Sequence, residues 1–203
     1  MTRSRIRQYR DSDWDAVYDV CVDTGNSGRG VRGRYTTDDL VPDIFAGPYL
    51  ALEPEHAYVL DNGDRAVGYV IGTPSTKDFV AAYRERWLPR LRERYQPLSG
   101  PPVTEEDYRL DAMFHPERLL LPGLEAHPAH LHINLLADYR GSGHGRELIS
   151  TFLTSVATAG AASCFLQVHK VNVNARRFYA KTGWRPIDVP GEEPGTVLVH
   201  STS

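Results

Sequence analysis

Two histidines separated by one residue, His130 and His132, stand ahead of an apolar strand end, Ile133-Asn134-Leu135-Leu136. That strand runs into Arg140-Gly141-Ser142-Gly143-His144-Gly145-Arg146. Residues i and i+2 of a strand point to one face, so the two imidazoles share a surface. An imidazole with an ordinary pKa of about 6.5 is suited to taking up a proton near neutral pH; the same rings could instead fill a polar pocket or cap a neighbouring strand. The glycines at 141, 143 and 145 let the chain take positive φ and bring amide N–H groups close to a ligand. A helix opening near His144 aims its unsatisfied N–H groups and positive dipole end at the same place. An anion is the guest such a turn suits; a plain turn packing a helix onto a strand would use the same glycines.

The spacing decides among phosphate-binding loops. A Walker loop requires Gly-Lys-Ser/Thr, and no lysine follows any of these glycines. A dinucleotide fingerprint requires G-x-G-x-x-G and an acidic residue closing the next strand. Here the glycines read G-x-G-x-G, and the strand Cys164 to Val168 ends in His169-Lys170. What remains, Arg140-x-x-Gly143-x-Gly145, resembles the R/Q-x-x-G-x-G/A signature of the GCN5-related N-acetyltransferases (GNAT family). A second element, Asn172-x-x-Ala175-x-x-Phe178-Tyr179-x-x-x-Gly183-Trp184, is similar to that family's later motif and follows in the right order. Taken by itself, it also reads as an amphipathic helix that buries Ala175, Phe178 and Tyr179, leaves Arg176, Arg177 and Lys181 in water, and stops at Gly183 in a left-handed C′ position.

The resemblance implies an α/β fold with a mixed central sheet whose parallel strand pair splays apart, flanked by helices. It implies acetyl-CoA as cosubstrate, with no metal, and acetyl transfer by direct attack of a primary amine, the acceptor being a small molecule or a peptide or protein lysine. The pyrophosphate would lie on the N–H groups of residues 141 to 146. Asn134, Leu135 and Leu136 would pair with the pantetheine arm, and a backbone N–H near Leu136 would polarise the thioester. Asn172, Ala175 and Phe178 would complete the cofactor side, with Asn172 in direct contact. Tyr179 would protonate the departing thiolate; as a bare residue it could equally be a core tyrosine. His130-x-His132 resembles the His-x-His of arylalkylamine N-acetyltransferases, which implies relay of the amine's proton through ordered water; Glu125 and Asp111 are weaker candidates for the base. A fainter resemblance, to the acetyltransferase-like domain at the C-terminal end of O-GlcNAcases, supplies the alternative of a module that binds coenzyme A or a protein partner without transfer.

Composition sets the outer bounds. With 203 residues and 41% hydrophobic content, the chain can bury one good core, and no repetitive linker divides it, so a single domain over 1–203 is expected. A net charge of −3 and the absence of a dominant basic face argue against nucleic acid as an obligatory partner. The start Thr2-Arg3-Ser4-Arg5 lacks the apolar core of a signal peptide, and no run of membrane-spanning length occurs, so a cytoplasmic protein without a membrane partner is expected. Cys21 and Cys164 form no disulfide framework, and His130-x-His132 has no cysteine or carboxylate at ligand spacing. Association with a second copy is left open.

The elements that must position these groups follow from periodicity. Ile6 to Tyr9 reads as a strand, and Asp11 as the N-cap of a helix carrying Trp14, Val17, Tyr18 and Cys21 on one face. A glycine-rich loop spans Thr24 to Arg34 and a second helix Thr36 to Leu50; Ala57 to Leu60 and Ala66 to Gly72 form a hairpin. An insertion over about 73–129 holds an Arg/Glu-rich solvated helix, bent or broken at Pro89, and is expected to shape acceptor choice or to add a packing layer. Trp184 to Val189 and Thr196 to His200 close the sheet as an antiparallel pair.

Overall fold

The computed structural model describes residues 4–202; Thr2 and Arg3 of the expected leaderless start lie outside them. Seven strands form one mixed sheet: β1 (Arg5–Gln8), β2 (Tyr58–Asp61), β3 (Ala66–Thr73), β4 (Ala129–Leu135), β5 (Ser163–Gln167), β6 (Arg185–Ile187) and β7 (Val197–Ser201), in the order β1-β2-β3-β4-β5-β7-β6. All neighbours are antiparallel except β4 and β5. β4 pairs with β3 from His130 to Leu135 but with β5 only at Ala129↔Cys164 and His130↔Phe165. Beyond His130 the parallel pair separates, as expected, and one edge of β4 is left without a strand.

Alternation along the strands divides the core. Val59, Tyr69 and Ile71 face one side, with α1 (Trp14–Gly28), α2 (Leu40–Phe45), α3 (Gly47–Leu52) and α4 (Thr76–Ala82). Val70 and Leu131 face the other, where α7 (His144–Thr158) contributes Leu148, Phe152 and Val156 and α8 (Val173–Lys181) contributes Tyr179. The insertion contains α4, a π-helical turn (Tyr83–Trp87), α5 (Leu88–Leu91) and α6 (Glu105–Phe114). Its Phe79, Tyr83, Trp87, Leu91, Met113 and Leu119 are buried in one cluster with α1 to α3, so it belongs to the core rather than to an outer layer.

Three local expectations need correction. Asp11 does not cap the first helix: it opens a 3-10 turn (Asp11–Asp13) ahead of α1, and Asp13, at the α1 N-cap position, makes no side-chain cap bond, its carboxylate accepting the Arg10 N–H at 2.9 Å and two guanidinium bonds from Arg7. The expected helix Thr36–Leu50 begins at Leu40 and breaks at Ala46 (φ −129°), because Pro48 has no N–H to continue the ladder. Gly47 fits that break, since a Cβ there would lie 2.3 Å from the Tyr18 hydroxyl oxygen and 2.8 Å from Trp87. The break carries Tyr49 onto the β4 face. In the Arg/Glu helix the irregularity precedes Pro89, as the π turn, which accommodates the donor missing at the proline. Among the described residues no helix is long and apolar enough to cross a membrane.

Candidate active site

The splay exposes backbone. The Leu136 N–H donates to the Val67 carbonyl at 3.0 Å, which places residue 136 in a hydrogen-bonded pair with β3. Bonding direction alternates along an antiparallel strand, so the N–H and C=O of Ile133 and Leu135 face the opening toward β5. The donor expected near Leu136 is therefore engaged, and Ile133 and Leu135 provide the N–H groups on the open edge. The Leu135 carbonyl accepts a bond from Arg140 Nε at 2.8 Å. The guanidinium of Arg140 also lies against Gly28, where a Cβ would come within 3.2 Å of it, tying the first glycine loop to the end of β4. Asn134 turns to the opposite surface, its side-chain amide donating to the Tyr69 hydroxyl at 2.7 Å.

After β4, Gly141 (φ 80°) and Gly143 (φ 91°) are left-handed, and Gly143 opens α7 without a side-chain cap. The N–H groups of Gly141, Ser142, Gly143, His144 and Gly145 find no acceptor among the described residues, whereas that of Arg146 is taken by the Gly143 carbonyl at 3.0 Å. The expected N–H cradle over 141 to 146 thus ends at 145. Nothing stands within 4 Å of a Cβ built on Gly141 or Gly143, so the space before the helix is open. Gly145 serves packing: a Cβ there would be 3.2 Å from Phe178 of α8. Asn172 caps α8, its Oδ1 accepting the Ala175 N–H at 3.2 Å, and Ala175 and Phe178 pack half-buried beside Leu135 and Leu136. The cap accounts for Asn172 in the motif without a ligand. Gly183 is left-handed at the end of α8, as expected (φ 90°).

Tyr179 is 8% exposed, its ring tilted against Phe178 and edge-on to Trp184. Its hydroxyl makes no hydrogen bond among the described residues. Burial, with Cys164 nearby, pushes it above the ordinary tyrosine range, so it holds its proton at neutral pH.

The histidines share a face, as their spacing predicts, and both reach one hydroxyl that the sequence did not single out. Tyr49 Oη lies 2.7 Å from His130 Nε2 and 3.1 Å from His132 Nε2. The hydroxyl of Thr76 contacts His130 Nδ1 at 2.8 Å and donates to the Pro128 carbonyl at 2.8 Å. A carbonyl can only accept, and this assigns the tautomers by the bonding network. Thr76 then accepts Nδ1–H of His130, whose bare Nε2 accepts from Tyr49; Tyr49 accepts Nε2–H of His132. The chain leaves His132 Nδ1 as a bare acceptor. Burial, with His132 and Arg118 adding repulsion, holds His130 well below its ordinary value. Burial and Arg118 lower His132 to about 4. The value near 6.5 expected from the sequence is not retained, because His130 is buried and His132 partly buried, both beside a guanidinium.

Glu125 and Asp111 do not join the site. Glu125 is exposed and accepts the Gly123 N–H, and Asp111 pairs with His115 at 3.1 Å. Cys21 and Cys164 are free and buried. Among the described residues, Glu53, Glu55 and His56 each bring one ligand atom within 4.8 Å of the others; Glu53 is engaged by Thr73 and His56 by Ser155. The residues missed from sequence are Tyr49, Thr76 and Arg118, none of which lies in a motif.

Comparison with known proteins agrees with this geometry. The solved structure of SsHAT is 44% identical, with a TM-score of 0.93 and 98% of each chain covered. A chain of the NatC complex bound to Gag peptide and CoA shares the fold at 9% identity, TM-score 0.56 and 98% coverage of each chain. Protein O-GlcNAcase of Rattus norvegicus is 25% identical over 180 residues, which cover 88% of this chain and 20% of that protein. The chain thus spans about a fifth of the length of the curated relatives it matches. A family model for the acetyltransferase (GNAT) family matches residues 14–184, most of the chain, and the chain belongs to the GNAT family of acyl-CoA-dependent acetyltransferases.

Proposed function

We propose that the protein transfers the acetyl group of acetyl-CoA to a primary amine by direct attack. One observation carries the reading: the free edge of β4 continues into the unsatisfied N–H groups of residues 141 to 145, and Ile133 and Leu135 of that edge pack against the core cluster that holds Tyr179, whose hydroxyl has no partner among the described residues. The pyrophosphate lies on those N–H groups and the positive end of α7. The pantetheine arm occupies the gap between β4 and β5.

The amine nitrogen attacks the thioester carbonyl carbon. The oxyanion that forms accepts from the open-edge N–H of Leu135, a donor fixed in place before the reaction, and that of Ile133, about 7 Å along the strand, is left to the pantetheine arm. The C–S bond then breaks, and the sulfur takes a proton from Tyr179, which recovers one from solvent. A thiolate is a weak base and asks for little help. The proton lost by nitrogen goes to His132 Nδ1, directly or through water, and then to solvent. With a pKa of about 4, His132 is neutral at pH 7 and holds that proton briefly. The Thr76-His130-Tyr49 chain ends on a carbonyl, so it orients His132 and shares its charge without conducting the proton away.

The experiment is calorimetry with acetyl-CoA beside a thiol-release assay on a panel of primary amines. Binding with amine-dependent release of CoA is expected. Binding with no turnover on any amine would favour the non-catalytic module, and absence of binding would overturn both.

A further inference from the structure

The insertion places two guanidinium groups beside the histidine pair with no carboxylate on either. Arg109, from α6, and Arg118, from the turn at Pro116–Leu119, hold their guanidinium carbons 5.8 Å and 5.4 Å from the ring of Phe45. Phe45 in turn meets His132 edge-on, with ring centres 5.9 Å apart. Arg109 uses Nε for a long bond to the Tyr35 hydroxyl, 3.4 Å, and Arg118 uses Nε for the Ala112 carbonyl, 3.0 Å. Neither forms an ion pair among the described residues, and the terminal nitrogens of both lack hydrogen bonds. Both side chains are half-buried, so their unpaired guanidinium groups are partly withdrawn from water.

A second observation points to the same spot. Tyr83 is 3% exposed, and its hydroxyl is buried without a hydrogen-bond partner. Of the ionisable groups around Arg118, Arg109 carries a like charge, and Tyr49 and Tyr83, raised by burial, keep their protons and are neutral at pH 7; no carboxylate is among them. Two half-buried cations that repel each other, next to an orphaned buried hydroxyl, form a site complementary to an anion.

We propose that Arg118 and Arg109 form an acceptor subsite for a carboxylate, so that the preferred acceptor is a small molecule carrying both a primary amine and a carboxylate across a short spacer. This rests on the acetyl-transfer reading. The carboxylate forks onto Arg118, the spacer lies along Phe45, and the amine reaches His132. Binding has a built-in consequence: Arg118 is one of the two causes that hold His132 low, and an anion on Arg118 removes its repulsion, making His132 a better proton acceptor when substrate is present.

The test compares ω-amino carboxylates of three to six carbons with the alkylamines and methyl esters of the same length, and with O-phosphoethanolamine. A preference in kcat/KM of roughly tenfold or more for the free carboxylates is expected, as for a charge-assisted pair in a partly closed site. Arg118→Gln, which can still donate to Ala112, should bring that ratio toward unity, and Arg109→Gln should reduce it; the second variant keeps the test valid should the first fail to fold. A stronger preference for the phosphate would reassign the anion. Transfer without preference, or a preference that survives both substitutions, would overturn the subsite while leaving acetyl transfer intact. Calorimetry of 5-aminopentanoate on the CoA-loaded protein separates the two readings: binding that depends on Arg118 without transfer to any amine would overturn the transfer reading alone. By NMR, the His132 ring surrounded by Tyr49, His130 and Arg118 should titrate at higher pH with the carboxylate bound. An unmoved titration would contradict the subsite.

Discussion

Acidification should destabilise the protein through His132, and by an amount the geometry sets. In the folded chain its pKa is about 4, whereas an unfolded histidine titrates near 6.5. Between those values the unfolded state binds the proton and the folded state does not, so stability falls as pH falls. The contribution is complete above about 6.5 and lost by about 4. A difference of about 2.5 units corresponds to about 3 kcal/mol, a ceiling because the ring is only partly buried. His130, displaced in the same direction, adds to it. Urea unfolding followed by tryptophan fluorescence between pH 7 and pH 4 measures the loss in the wild type and in His132→Gln, which can still donate to Tyr49. Carboxylates such as Asp13 and Asp61, held low by Arg7, titrate alike in both proteins, so the difference isolates the histidine. Wild type should lose up to about 3 kcal/mol more than the variant over this window. Parallel stability curves would show that His132 titrates in the folded state as it does in water, and the buried chain from Thr76 to His132 would have to be abandoned.

Replacing Gly143 with valine puts a side chain into the open space before α7 at φ 91°; acetyl-CoA affinity measured by calorimetry should fall at least about tenfold in a variant that unfolds cooperatively, and unchanged affinity would remove the pyrophosphate from this loop. Tyr179→Phe removes the proton donor but not the ring packing, so kcat should fall roughly tenfold to a hundredfold with acetyl-CoA affinity retained; an unaltered single-turnover rate would reduce Tyr179 to a packing residue. Asp43, 1% exposed, accepts from the Tyr18 and Tyr95 hydroxyls and pairs with Arg94, and Asp43→Ala should cost about 3 kcal/mol in urea unfolding. A loss within error of zero would mean that water replaces the carboxylate at no penalty.

Local chemistry made part of this site legible and tertiary contacts hid the rest. Gly143 and Gly183 announced their backbone conformations because few other residues tolerate positive φ, and the two-residue spacing of His130 and His132 set their common face before any fold was known. Asp11 and Asp13 are equally good caps by type, yet neither side chain caps α1, because Arg7 of β1 and the Arg10 N–H take the Asp13 carboxylate and Asp11 opens a 3-10 turn. Pro48 was visible, but the break it imposes had to be matched to Tyr18 and Trp87 before Gly47 made sense, and with it the placement of Tyr49. Tyr49, Thr76 and Arg118 come from three remote segments with no motif, and a residue's own type carries no record of burial, which is what moved the histidines from about 6.5 to lower values.

The central claim is that the free edge of β4 and the glycine turn after it hold acetyl-CoA, and amide NMR of the 15N-labelled protein titrated with acetyl-CoA tests it most directly. The account predicts shifts concentrated at the N–H groups of Ile133 and Leu135 and of residues 141 to 145, with those of β1 and β2 unmoved. Saturable binding that leaves these amides in place and shifts another surface would contradict it.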